Sequence, residues 1–220
     1  MLGNSLNETL PVKPARGRRR SGEPSGREAL LRSALQSFSK YGYEGVSLRA
    51  LASDAGVDMA LVGRIFGSKA NLWDAVVEHL AERQLHHLEQ LRLLAVQVDS
   101  HPRDAIIGFI RLFADISYEM PEFPAFLIQE ASNPGVRLTK LSVELVGPFS
   151  VSSKPIIAKA QAAGVIVAPN ERLFFGMLTS AVSLPMVAPS VFCGKKKLTL
   201  KLKKQIAEQA IAMFVQALPA

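Results

Sequence analysis

Three closely spaced residues limit the fold of this chain more than any other feature. Ala52, Gly56 and Val62 have the spacing required where two short helices cross closely through a tight turn. The first helix needs a small residue at the crossing, which Ala52 supplies. The turn needs a residue that tolerates left-handed backbone angles, which Gly56 supplies. The second helix needs an inward apolar residue, Val62, and Leu51, Ala55, Val57 and Ile65 add supporting contacts. An ordinary helical hairpin shares some of these features. A helix-turn-helix is favoured because a helix with its own apolar face precedes the motif and a basic arm precedes that helix.

The preceding helix starts near Arg27. Leu30, Leu31, Ala34, Leu35 and Phe38 fall on one face, and the helix ends at Tyr41-Gly42-Tyr43, with Gly42 suited to a left-handed C-terminal position. Ser47 reads as the N-cap of a helix over 48–55, Asp58 of one over 59–66, and Ser68 of a long one reaching about residue 98. Further helices are expected over 103–118, 121–131, 135–147, 150–163, 171–187 and 198–218, punctuated by prolines and glycines. Short β-like runs such as 165–167 are too few to make a sheet. The expectation is an all-α protein in three parts: a flexible basic arm over 1–25, a three-helix helix-turn-helix domain over 26–70, and a larger helical domain over 71–220.

Charge is distributed in keeping with that division. Of the net +7, residues 1–69 hold most, with 11 Lys and Arg against six Asp and Glu, which points to an anionic partner at that end, most simply nucleic acid. Other classes find little support. Cys193 is the only cysteine, so there is no intramolecular disulfide or multi-cysteine metal site, in keeping with a reducing cytoplasm. His79, His86 and His87 lie with Glu78 and Glu82 on the fourth helix; they are expected to be exposed rather than metal ligands, and no cofactor is expected. No nucleophile–base pair or Gly-rich phosphate loop suggests an enzyme. No signal peptide or membrane-spanning run is evident, so a cytoplasmic protein is expected.

Recognition helices present their N-terminal residues to base edges in the major groove. Here those residues are Asp58, Met59, Ala60, Leu61, Gly63 and Arg64. The head also carries three phrases: Phe38-Ser-Lys-Tyr-Gly42-Tyr43-Glu-Gly-Val-Ser47, Leu51-Ala52-Ser53-Asp54-Ala55-Gly56-Val57, and Gly63-Arg64-Ile65-Phe66-Gly67-Ser68-Lys69-Ala70-Asn71-Leu72. By these, residues 27–80 resemble the N-terminal domain of the TetR family of bacterial repressors. The resemblance implies DNA contacts at Ser47, Leu48, Arg49, Arg64 and Lys69, with Met59 and Leu61 placed to meet a thymine methyl group. The sequence departs from the family where Gly63 replaces a usual tyrosine and Leu61 a usual small polar residue. Arg18 and Arg19, within the cluster Arg16 to Arg20, either enter the minor groove beside the head or form a solvated tail.

The same resemblance implies that the larger domain binds a small effector inside a helical bundle and that binding alters the spacing of two heads. Candidate effector contacts are Phe109, Ile110, Phe113, Phe126, Gln129, Glu130, Phe174 and Met177, each of which could equally be core or, for the polar ones, solvated. The last two long helices are the expected dimer interface, through Leu173, Phe174, Met177, Leu178, Ala181, Val182 and Leu184 on one and Ile206, Ala207, Ala210, Ile211, Phe214 and Val215 on the other; packing within one subunit is the alternative. A two-fold homodimer would set two heads about 34–36 Å apart on a palindrome. The lysines at 195–197, 201, 203 and 204 are expected to be a loop and a solvated helix start. The expected function is a ligand-responsive repressor released from its operator by a small, largely apolar effector; the alternative is a nonspecific or architectural DNA-binding protein.

Overall fold

The computed structural model describes residues 25–217. The first helix, α1 (Gly26–Tyr41), opens on a capping box: Ser25 Oγ accepts from the Glu28 N–H, and the Glu28 carboxylate accepts from the Ser25 N–H at 2.7 Å. It buries Leu30, Leu31, Ala34, Leu35 and Phe38. Gly42 ends it at φ +69°. Then follow α2 (Leu48–Asp54), α3 (Met59–Ile65) and the long α4 (Lys69–Gln97), capped by the side chains of Ser47, Asp58 and Ser68 respectively. The caps expected from the sequence are the caps formed.

The body continues through α5 (Pro102–Glu119), α6 (Glu122–Ala131) and α7 (Val136–Leu141). A single π-helical turn over Ser142–Val146 leads directly into α8 (Gly147–Ala162). The sequence suggested a break at Pro148 between two helices. Instead the Gly147 N–H bonds back to the Ser142 carbonyl, and this wider turn carries the chain past a residue that has no N–H to offer. The rest is α9 (Glu171–Val187), the one-turn α10 (Pro189–Phe192) and α11 (Leu200–Phe214). No strand occurs among the described residues, so the fold is all-α with the helix-turn-helix at its N-terminal end.

One apolar core runs through head and body. Helix α1 packs on α4 and α6, α4 on α5 and α8, and α5 on α9 and α11. Phe126 of α6 forms the joint: its ring lies 6.3 Å from Phe38 of α1 and 5.7 Å from Trp73 of α4. All three are buried, each contributing roughly 1.5–3 kcal/mol relative to exposure. The head is therefore bolted to the start of α4 and to α6.

Three expectations about the body are corrected. Ile206, Ala207 and Ala210 are buried within the subunit, because α11 turns this face onto α5 and α9. Lys203 is not solvated; its ammonium pairs with Asp115 and lies 5.3 Å from the Tyr118 ring. His87 is buried, with Nε2 3.1 Å from Glu119, because it shares the inward face of α4 with Gln84, Leu88 and Leu91.

Candidate functional site

The head's turn is built as its spacing requires. Gly56 adopts φ +64°, and the Val57 N–H closes the turn onto the Ala52 carbonyl at 2.9 Å. Ala52 and Val62 are buried at the crossing. This leaves Ser47, Arg49, Asp58, Met59, Ala60, Gly63 and Arg64 exposed, with Leu48, Leu61 and Lys69 half-buried. Several of these groups already have local partners. The Asp58 carboxylate accepts from the Ala60 N–H at 2.8 Å and so serves as a cap. Ser47 Oγ accepts from the Ala50 N–H, which leaves its own proton to donate. Lys69 Nζ lies 4.5 Å from the centre of the Tyr43 ring and 3.5 Å from the Glu44 carbonyl oxygen, held at the N-terminus of α4 where backbone N–H groups favour an anion. Gly63 stands in open space, with nothing within 4 Å of where a Cβ would lie. Arg18 and Arg19 lie outside the described residues.

The body contains a cavity of about 350 Å³, within the size range of ligand sites. Its walls come from Gln84 on α4, Phe113 and Ile116 on α5, and Phe123, Pro124, Leu127 and Ile128 on α6. Leu145, Val146 and Phe149 close the side formed by the π turn and α8, and Phe175, Thr179, Ser180, Ser183 and Leu184 the side formed by α9. Ile128, Ser180 and Leu184 are exposed and stand at its mouth.

Of the expected effector contacts, only Phe113 lines this cavity. Phe109 and Ile110 are fully buried core; Phe109 lies one turn before Phe113 on the same face, packed behind the wall with its ring 6.1 Å from Phe113 and 6.2 Å from Phe175. Phe126 fills the joint between head and body. Phe174 and Met177 line a separate groove of about 230 Å³ with Met213 and Phe214. Gln129 Nε2 donates to the Lys40 carbonyl of α1 at 3.2 Å. Glu130 is buried and accepts from Arg137 Nε at 3.2 Å. Two signals for the residues around this cavity were present in the sequence: Gln84 occupies an apolar-stripe position between Leu80 and Leu88, and Thr179, Ser180 and Ser183 interrupt an otherwise apolar helix.

Contacts at the head–body joint extend from the cavity wall. The Arg137 guanidinium lies over the Tyr43 ring at 4.0 Å, and Lys69 sits by the same ring. Lys140 donates to Asp74 at 2.8 Å, and this hydrogen bond holds its ammonium pKa above the usual lysine value. Burial beside Arg83 lowers the pKa of His79 on the same stretch of α4.

Residues 30–76 match the family described as bacterial regulatory proteins, tetR family. The head over these residues is therefore of the tetR type. Among curated relatives, the HTH-type transcriptional regulator RutR of Escherichia coli strain K12 is 32% identical over 106 residues, 48% of this chain and 48% of RutR. The HTH-type transcriptional repressor NicS of Pseudomonas putida is 28% identical over 145 residues, 63% of this chain and 65% of NicS. The chain thus spans about half the length of RutR and less than two thirds of NicS. A crystal structure of AibR in complex with isovaleryl coenzyme A and operator DNA superposes with a TM-score of 0.64 at 19% identity. It covers 86% of this chain and 97% of AibR, a likeness of fold that extends beyond the head. No described helix is long and apolar enough to cross a membrane.

Proposed function

We propose that this protein is a cytoplasmic, ligand-responsive transcriptional repressor that binds a palindromic operator as a homodimer and is released by a small, largely apolar effector. The observation that carries this reading is the double role of α6. One face of α6 forms a wall of the cavity, through Phe123, Pro124, Leu127 and Ile128. The same helix holds α1 of the head, through Phe126 against Phe38, Gln129 on the Lys40 carbonyl, and the Glu122 carbonyl 3.0 Å from Ser39 Oγ. A molecule that binds the cavity better when α6 is displaced favours the head position that goes with the displacement. Arg137, bound to Glu130 and stacked on Tyr43, gives a second path to Lys69.

The division into an arm over 1–25, a DNA-binding domain over 26–70 and an effector and dimerisation domain over 71–220 is part of this proposal. So is base and phosphate contact by Ser47, Arg49, Met59, Ala60, Arg64 and Lys69. The relatives' names, a regulator and a repressor, support the function, and the complex of AibR with a ligand and operator DNA supports the pairing of cavity with head. Footprinting across DNA flanking the protein's own gene tests the reading. Protection of one two-fold symmetric site is expected, whereas uniform coating would favour a nonspecific DNA-binding protein instead.

A further inference from the structure

The walls of the cavity limit what it can hold. None of its lining residues is Asp, Glu, Lys, Arg or His. An anion would have to shed its water against a wall with no cation, and an ammonium against one with no carboxylate. Two of the wall's four polar side chains already have protein partners. Thr179 Oγ1 donates within its own helix, 2.8 Å from the Phe175 carbonyl, and Ser183 Oγ lies 3.0 Å from Ser117 Oγ. Ser180 stands at the mouth. Gln84 differs: it is 3% exposed, lines the cavity, and its Nε2 has no hydrogen-bond partner. A buried amide donor without an acceptor is costly to keep, and turning the Gln84 amide toward an acceptor in the cavity removes that cost.

Given that the cavity is the effector site, we infer that the effector is an uncharged, mainly hydrocarbon molecule carrying one carbonyl-type acceptor, which Gln84 Nε2 holds. A ketone, ester or neutral amide of moderate length fits this description. The free carboxylate of the same length does not, because its charge meets no counter-charge in the wall. The acceptor end lies against α4 and the hydrocarbon against α5, α6 and the π turn, so the polar end fixes the pose while the apolar end bears on the helix that holds the head.

The test uses the full-length protein and N-phenyl-1-naphthylamine, an uncharged dye with no carbonyl, displaced by 2-decanone, decanoate or decylammonium. The ketone is expected to displace the dye at a concentration lower than either ion by about tenfold or more, and Gln84→Leu is expected to raise the ketone's half-displacement concentration about tenfold while the dye still binds. Gln84→Met, also lacking a donor, replaces the leucine variant if that one does not fold. Decanoate matching the ketone, or a ketone unaffected by both Gln84 variants, overturns the assigned ligand class while continued dye binding leaves the cavity's role intact. Dye that fails to bind, or that binds equally well when Leu127→Trp fills the space, overturns the effector site and this inference with it.

Discussion

Gly56 and Gly63 lie one turn and one helix apart in the head, and alanine at each should act in opposite directions. Gly56 holds φ +64°, a conformation that disfavours any Cβ, so Gly56→Ala should lower stability by about 1–2 kcal/mol. Gly63 is helical with open space around it, so Gly63→Ala should raise stability by up to about 1 kcal/mol. Urea denaturation of both variants checks the pair, and a shift in the same direction would refute the account of the turn. Arg64 and Lys69 belong at this scale too. Each alanine variant should weaken operator binding and flatten its dependence on log salt by about 0.9 per lost phosphate contact, with the sedimentation coefficient unchanged. If binding is untouched in both, the reading surface lies elsewhere. The head was legible at residue level because its determinants are local: Ala52, Gly56, Val62 and the caps Ser47, Asp58 and Ser68 act on neighbours a few residues away. The cavity was not. Whether Phe109 or Phe113 reaches it depends on where along α5 the space between α8 and α9 opens, which no local pattern in α5 encodes.

Among elements, α6 and α7 carry the proposed link between cavity and head, and the pair of buried Glu130 and half-buried Arg137 fastens them. Glu130 is 1% exposed, so removing its cation leaves a carboxylate with little solvent. Arg137→Ala alone should cost about 2–3 kcal/mol, and combining it with Glu130→Leu should cost less than the single change. Equal losses would mean that the ion pair contributes nothing beyond packing. On α4, burial pushes His79 below the ordinary histidine value of 6.5. Its folded-state pKa is depressed, so the unfolded chain binds its proton first. The stability present above pH 6.5 therefore falls as pH drops through that value toward the lower folded one. His79→Gln should flatten this limb of the stability–pH curve, and an unaltered limb would assign it to other groups. The elements also show where punctuation misleads. Pro148 reads as a helix break, yet the π turn over Ser142–Val146 passes it within one continuous helical stretch, because one residue added to the turn removes the need for the missing N–H.

At the scale of the whole molecule, the outward face of α9 is an apolar surface that no described residue covers. Leu173, Met177 and Leu184 are exposed on it, and Met213 of α11 lies alongside, 66% exposed. The sequence pointed to these two helices, but Ile206 and Ala210 of α11 are spent on the subunit's own core. Apolar area of this kind is expected to be covered by a second copy. Ser180 and Leu184 belong both to this face and to the cavity mouth, so a partner seated here would also govern entry to the cavity. Pairing Leu173→Asp with Met177→Asp should give a folded monomer by sedimentation equilibrium. The consequence for DNA follows from linkage: in a dimer, binding of one head makes the second half-site an intramolecular target. Its loss should weaken binding to the full palindrome by about 10²- to 10⁴-fold while leaving affinity for an isolated half-site nearly unchanged. A monomer that still binds the palindrome as tightly as the parent would show that the two heads do not act together, and the palindromic operator would then lose its physical basis.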